Sequence, residues 1–103
     1  MSKLLEPVAP GEILLEEFLK PLGISQNRLA RELKVPPARV NDIVHARRAI
    51  TADTALRLGR YFRTSAEFWS NLQAHYDLKL ARRALGPEIE RTVLPLKPPA
   101  RAA

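Results

Sequence analysis

The sequence predicts an all-α protein of five helices, and three observations carry that expectation. Apolar residues recur every three or four positions in five consecutive stretches, the spacing of a helix that buries one face. Between the stretches stand Pro, Gly and hydroxyl residues of the kinds that end one helix and cap the next. Alternation of the strand type occurs only briefly, at Ile89, Arg91 and Val93.

The first helix is expected in "EILLEEFLKPLG", after Pro10 and Gly11. Ile13, Leu14, Phe18 and Leu22 form its stripe, Glu12, Glu16 and Glu17 suit the positive end of the helix dipole, and Pro21 to Gly23 ends it. Ser25 is placed to cap the second helix, "SQNRLARELK", whose buried stripe is Leu29, Ala30 and Leu33. A third helix carries Val40, Ile43 and Val44 on one face and Ala38, Asn41, Asp42 and His45 on the other. Thr51 caps a fourth through Ala55, Leu58, Gly59 and Phe62. Thr64 and Glu67 form a capping box for a long fifth helix expected to close near Gly86 and Pro87. The expected division is one domain over residues 1–86 and a Pro/Ala-rich tail over 87–103, with a short strand at most and then a frayed end.

The 103 residues suffice for one core and are too few for two ordinary domains. No apolar run approaches the roughly 20 residues of a membrane span, and the N-terminus shows no secretion signal. With no cysteine there is no disulfide, thiolate metal site or cysteine nucleophile, which fits a reducing cytoplasm. The net charge of +6 is concentrated mid-chain, where residues 35–63 hold six basic and two acidic side chains. Such a segment suits a polyanionic partner, although many soluble proteins are mildly basic.

Residues 26–45 hold Leu29, Ala30, Leu33, Val35, Val40 and Ile43 at positions 4, 5, 8, 10, 15 and 18 of a 20-residue window. That is the spacing of a DNA-binding helix-turn-helix, in which two helices cross steeply and need a small residue, here Ala30, at their closest approach. Residues before proline are driven from helical geometry, so Val35 and Pro36 should be extended and Pro37 the first residue of the next helix. The N–H groups of Ala38 and Arg39 would then be open to a phosphate. With Val40, Ile43 and Val44 inward, the opposite face offers Ala38, Arg39, Asn41, Asp42 and His45 to base edges, where Arg suits guanine, Asn adenine, Asp the cytosine amine and the Ala methyl thymine. Ser25, Gln26 and Asn27 at the start of the preceding helix, with Pro37, Arg47 and Arg48, are placed for phosphates. The plain alternative for Arg39 and Asp42 is an i, i+3 pair on a solvated surface. At the turn, Lys34 stands where glycine is usual; either it adopts a left-handed backbone at a cost of about 1 kcal/mol or the turn departs from the common geometry.

The stretch "PGEILLEEFLKPLGISQNRLARELKVPPARVNDIVHARRAITADTALRLGRYF" followed by "SAEFWSNLQAHYDL" resembles the HigA antitoxin family, a branch of the Xre/lambda-repressor-like helix-turn-helix regulators. The resemblance covers Pro10 to about Leu78, and "ITADTALRL" with "EFWSNLQ" is what sets it apart from a generic helix-turn-helix. It implies a homodimeric bacterial protein that binds a HigB-like mRNA-endonuclease toxin and represses the shared operon at a palindromic operator in its own promoter. The family's DNA-reading role falls on Ala38, Arg39, Asn41 and Asp42. A stand-alone Xre-type regulator and a protein-interaction module without DNA binding remain the alternative readings.

Phe68, Trp69, Leu72, Tyr76 and Leu80 are expected to serve the core and a dimer interface, because a helix of about 30 Å exceeds what a small bundle needs. His45 and His75 lie far apart with no cysteine or carboxylate cluster beside them, so no metal site is expected. No nucleophile elbow, phosphate-cradling glycine loop or paired-carboxylate cleft is present, so neither an enzyme, a cofactor nor a small-molecule substrate is expected.

Overall fold

The computed structural model describes residues 7–98. Five helices follow in order, with no strand among the described residues. The first, α1, is three consecutive stretches: Pro10–Ile13, a π-helical Leu14–Leu19 and Lys20–Leu22. The others are α2 (Gln26–Leu33), α3 (Pro37–Val44), α4 (Ala52–Phe62) and α5 (Ala66–Thr92). The π-helical stretch was not foreseen. Pro21 has no N–H to offer the carbonyl four residues back, and just before it the Lys20 N–H reaches Leu15, five residues back.

Three turns share one device. At Gly23, Lys34 and Ala46 the backbone enters the left-handed region, with φ of 67°, 64° and 60°. In each, the following N–H bonds to the carbonyl five residues back: Ile24 to Leu19 (2.9 Å), Val35 to Ala30 (3.0 Å) and Arg47 to Asp42 (2.7 Å). These paired end bonds satisfy carbonyls that each helix terminus would otherwise leave open. Lys34 therefore takes the left-handed geometry without the freedom of glycine. Pro36 is extended (φ −62°, ψ 144°) and α3 begins at Pro37, as the proline pair requires.

The core draws on every helix: Leu14 and Leu19 of α1, Leu29, Ala30 and Leu33 of α2, Val40 and Ile43 of α3, Ala55 and Leu58 of α4, and Trp69 of α5. Ala30 is fully buried in this core, as its place in the motif demands. Gly11 marks an equally close approach, since a Cβ there would lie 1.8 Å from the Ile43 carbonyl oxygen. Ser25 and Thr51 cap α2 and α4 as expected, accepting from the N–H groups of Arg28 and Thr54.

Three expectations need correction. The cap of α5 is Ser65, whose hydroxyl accepts from the Phe68 N–H at 3.0 Å; Thr64 instead receives the buried Trp69 indole N–H at 2.8 Å. The helix also runs through Gly86 and Pro87 to Thr92, so no strand forms at Ile89–Val93. A residue before proline resists helical geometry partly through its Cβ, and Gly86 has none. Beyond the proline the turn is held by the Glu88–Arg91 ion pair and the Thr92 hydroxyl donating to the Glu88 carbonyl. Finally, Trp69 is fully buried against Phe18, Phe62 and Phe68, with ring centroids 4.9, 6.1 and 5.0 Å away. It cannot belong to a dimer interface. The end of the expected tail, from residue 99 onward, lies outside the described residues.

α5 packs on α4 and on the start of α1 through its first turns, and its outer half extends beyond the bundle. The radius of gyration is 18.0 Å, against about 13 Å for a compact domain of this length.

Candidate nucleic-acid interface

α3 lies on the surface with its apolar side seated: Val40 and Ile43 are buried, whereas Pro37, Ala38 and His45 are exposed and Arg39, Asn41 and Asp42 half-buried. No side chain caps its start. Of the two N–H groups expected to be open there, that of Arg39 is taken by the Pro36 carbonyl at 3.0 Å, a first-turn bond that tightens the helix beginning. Only the Ala38 N–H stays as a candidate for a phosphate.

The polar side chains form a connected set. Asn41 donates through Nδ2 to Gln26 Oε1 (3.1 Å) and accepts through Oδ1 from Arg47 Nη2 (3.0 Å), tying the start of α2 to the loop after α3. Asp42 faces Arg47 Nε at 3.4 Å and Arg48 Nη2 at 3.8 Å. His45 is hydrogen-bonded through Nδ1 to the Asn41 carbonyl at 2.8 Å and is exposed. Ser25 and Asn27 are exposed beside this set. Serine's Oγ accepts the capping bond, so its hydroxyl proton stays free to donate.

Arg39 does not pair with Asp42. Its Nη1 meets Oδ2 of Asp53, on the first turn of α4, at 2.9 Å. Asp53 also accepts from Arg57 Nε, and Arg57 Nη1 in turn caps the Leu33 carbonyl at the end of α2 at 2.8 Å. These cations, Arg57 first, hold the Asp53 carboxyl below the ordinary aspartate range. One carboxylate thus ties together α4, α3 and the end of α2. The sequence reading missed Asp53 and Arg57. Their i, i+4 spacing was visible as a surface pair, but the 14-residue separation of Asp53 from Arg39 is bridged only by the fold.

The cluster combines the hydrogen-bonding side chains of a surface helix with loop arginines that are 58% (Arg47) and 51% (Arg48) exposed. It can hydrogen-bond base edges and neutralise phosphates. The residues expected to face the groove are together on this surface. Of those expected to serve a dimer, Leu72 packs against the core and Phe68 against the rings of Phe18 and Trp69, Tyr76 is half-buried, and Leu80 is exposed at the start of the outer half.

The helix-turn-helix family profile matches residues 15–69. Virulence-associated protein I of Dichelobacter nodosus is 57% identical over 76 residues, covering 74% of this chain and 70% of that protein. A solved structure of the Pseudomonas aeruginosa antitoxin HigA with the higBA promoter is 54% identical, with a TM-score of 0.87 over 89% of this chain and all of that one. The antitoxin GraA in complex with its operator is 45% identical, with a TM-score of 0.85 over 90% of this chain and 94% of that one. The chain belongs to the Xre-like helix-turn-helix family, in its HigA-type antitoxin branch.

Proposed function

We propose that the protein is a sequence-specific DNA-binding repressor that autoregulates its operon and neutralises a HigB-like mRNA-endonuclease toxin encoded beside it. The observation that carries the DNA-binding reading is the surface of α3, where Ala38, Arg39, Asn41, Asp42 and His45 stand outward next to Arg47 and Arg48. Relatives solved with a promoter and with an operator support it. In this reading the α3 side chains meet base edges, and Ser25, Gln26, Asn27, Pro37, Arg47 and Arg48 meet phosphates.

A palindromic operator requires two copies of α3 about 34 Å apart, and hence a homodimer. The outer half of α5 supports this. Leu78, Leu85 and Ile89 are each about half exposed, and with Ala81 they follow one another at steps of three or four along one face. A second copy seated across that stripe would bury it; Leu80, Tyr76, Leu72 and Phe68 follow one another at steps of four on a different side of α5, so this interface replaces the expected one and leaves Trp69 out. The repressor works in the cytoplasm, on the chromosome that carries its operator.

The test is titration of the gene's own promoter and a scrambled duplex across salt concentrations. Arg47→Ala is expected to weaken binding to the promoter and to lower its salt slope by about 1, and Asn41→Ala to reduce chiefly the preference for the promoter over the scrambled duplex. Equal, weak, salt-insensitive binding by the wild type favours an interaction module instead. For the antitoxin role, the product of the adjoining small reading frame should cleave mRNA on ribosomes until this protein is added. Cleavage that persists identifies a stand-alone regulator.

A further inference from the structure

In the free protein none of the three arginines on or beside the reading surface is unpaired. Arg39 is held by Asp53, and Arg47 and Arg48 both face Asp42. The restraints are built in different ways. Asp53 lies on a neighbouring helix and is itself fixed by Arg57, which is anchored on the Leu33 carbonyl. Asp42 lies on α3, and its backbone carbonyl also receives the Arg47 N–H at 2.7 Å, so side chain and main chain hold the same arginine. Asn41 adds a third bond to Arg47.

Resting on the DNA-binding reading above, we propose that Asp42 and Asp53 are specificity determinants that act by restraint. Asp42 occupies Arg47 and Arg48, and Asp53 occupies Arg39, which without a matching base edge in reach would be drawn to the phosphates of any duplex. Phosphate attraction is blind to sequence and supplies essentially all non-specific affinity. An arginine already paired to a carboxylate gains less from a phosphate, because the old pair must be broken and the freed carboxylate left beside a polyanion. A matched operator offsets that cost through base-edge bonds, and a random duplex does not. The two aspartates are also the only acidic residues among positions 35–63, the most basic stretch of the chain.

The experiment measures Kd for the own-promoter duplex and a scrambled duplex, over a salt series, for the wild type, Asp42→Asn, Asp53→Asn and the double variant. Glu67→Gln serves as charge-matched control, removing an exposed carboxylate on the first turn of α5 that takes no part in these pairs. Each aspartate variant is expected to bind the scrambled duplex about two- to fivefold more tightly per pair released, the range for exposed ion pairs. Its log–log salt slope on that duplex should steepen by about 0.9 per freed arginine. Promoter affinity should rise less, so that the ratio between the duplexes falls. Glu67→Gln should leave the slope unchanged.

Three results overturn the restraint: unchanged scrambled-duplex binding, a gain matched by Glu67→Gln, or loss confined to the promoter. The last would leave Asp42 only the base-edge role proposed above. Failure of the DNA-binding reading itself is distinguishable, because then the wild type shows no preference for the promoter. Circular dichroism of each variant separates these outcomes from unfolding, and Asp53→Glu, which keeps the charge, should restore the wild-type slope.

Discussion

Replacing Gly11 by alanine should sharply destabilise the protein, against the ordinary preference of helices for alanine. The added Cβ would sit 1.8 Å from the Ile43 carbonyl oxygen, 2.6 Å from its carbon and 2.9 Å from Val44 Cα. All three are backbone atoms of α3, so no rotamer change relieves the overlap. Ordinary contact needs about 3.5 Å, so α1 and α3 must part by about 1.7 Å, a gap that forfeits half or more of the dispersion between the surfaces it separates. Ile43, in the core, lies on one of those surfaces. Overpacking against an unyielding backbone belongs at the upper end of single-substitution costs, about 3–5 kcal/mol. Alanine returns at most about 1 kcal/mol of helix propensity, for a net loss of about 2–4 kcal/mol. At roughly 4–8 °C per kcal/mol the melting temperature should fall by about 10–30 °C, followed by circular dichroism at 222 nm. A variant as stable as the wild type, or about 1 kcal/mol more stable as propensity alone predicts, refutes the close approach of α1 to the end of α3.

Other substitutions probe the turns, the core and the titrating pair. Lys34→Gly removes the left-handed strain at φ 64° and should stabilise by about 0.5–1 kcal/mol, seen as a higher urea midpoint at unchanged slope; an unchanged midpoint would mean the turn is not strained. Thr64→Val leaves the buried Trp69 N–H without its acceptor and should cost about 1–3 kcal/mol with an altered tryptophan emission, whereas Ser65→Val should cost about 1 kcal/mol through the lost cap and leave the emission alone. Tyr61→Phe should destabilise most between mildly acidic and mildly alkaline pH. The Tyr61 hydroxyl donates to Glu32 and holds that carboxyl below 4.5, so the contact stabilises above that value and is lost as pH falls through the depressed folded pKa. The same bond raises the Tyr61 phenol above 10.0, so its contribution fades again as pH rises through the raised value. Urea titrations across pH that show a constant difference between Tyr61→Phe and wild type would contradict this.

What could be read from the sequence divides by the distance over which each signal acts. Helix spacing, the caps at Ser25 and Thr51, the pre-proline rule at Pro36 and the small residue at Ala30 all act within one turn or one motif, and each stands in the structure. The errors arose where a local signal had a tertiary competitor. Thr64 and Ser65 are adjacent hydroxyls, either able to cap α5, and only the indole of Trp69 decides between them by claiming Thr64. Gly86–Pro87 is a strong stop signal locally, yet the same glycine that usually ends a helix removes the Cβ that makes a pre-proline residue resist one. Trp69 sits on a helix long enough to suggest a partner, but the aromatic group that encloses it comes from α1 and α4.

The reading surface follows the same division, with a consequence for its electrostatics. The outward direction of α3 is a matter of 100° steps, so the set of residues on that face was legible in one dimension. Their pairing was not, because Gln26–Asn41 and Arg39–Asp53 join residues 15 and 14 positions apart. Net charge therefore misstates what the surface offers a duplex. The basic excess of residues 35–63 counts Arg39, Arg47 and Arg48 as free cations, whereas each is opposed by a carboxylate at 2.9–3.8 Å. Under the restraint proposed above, such a surface would bind weakly until the groove supplies hydrogen bonds that match it, the behaviour a repressor needs when operator sites are vastly outnumbered by random sequence.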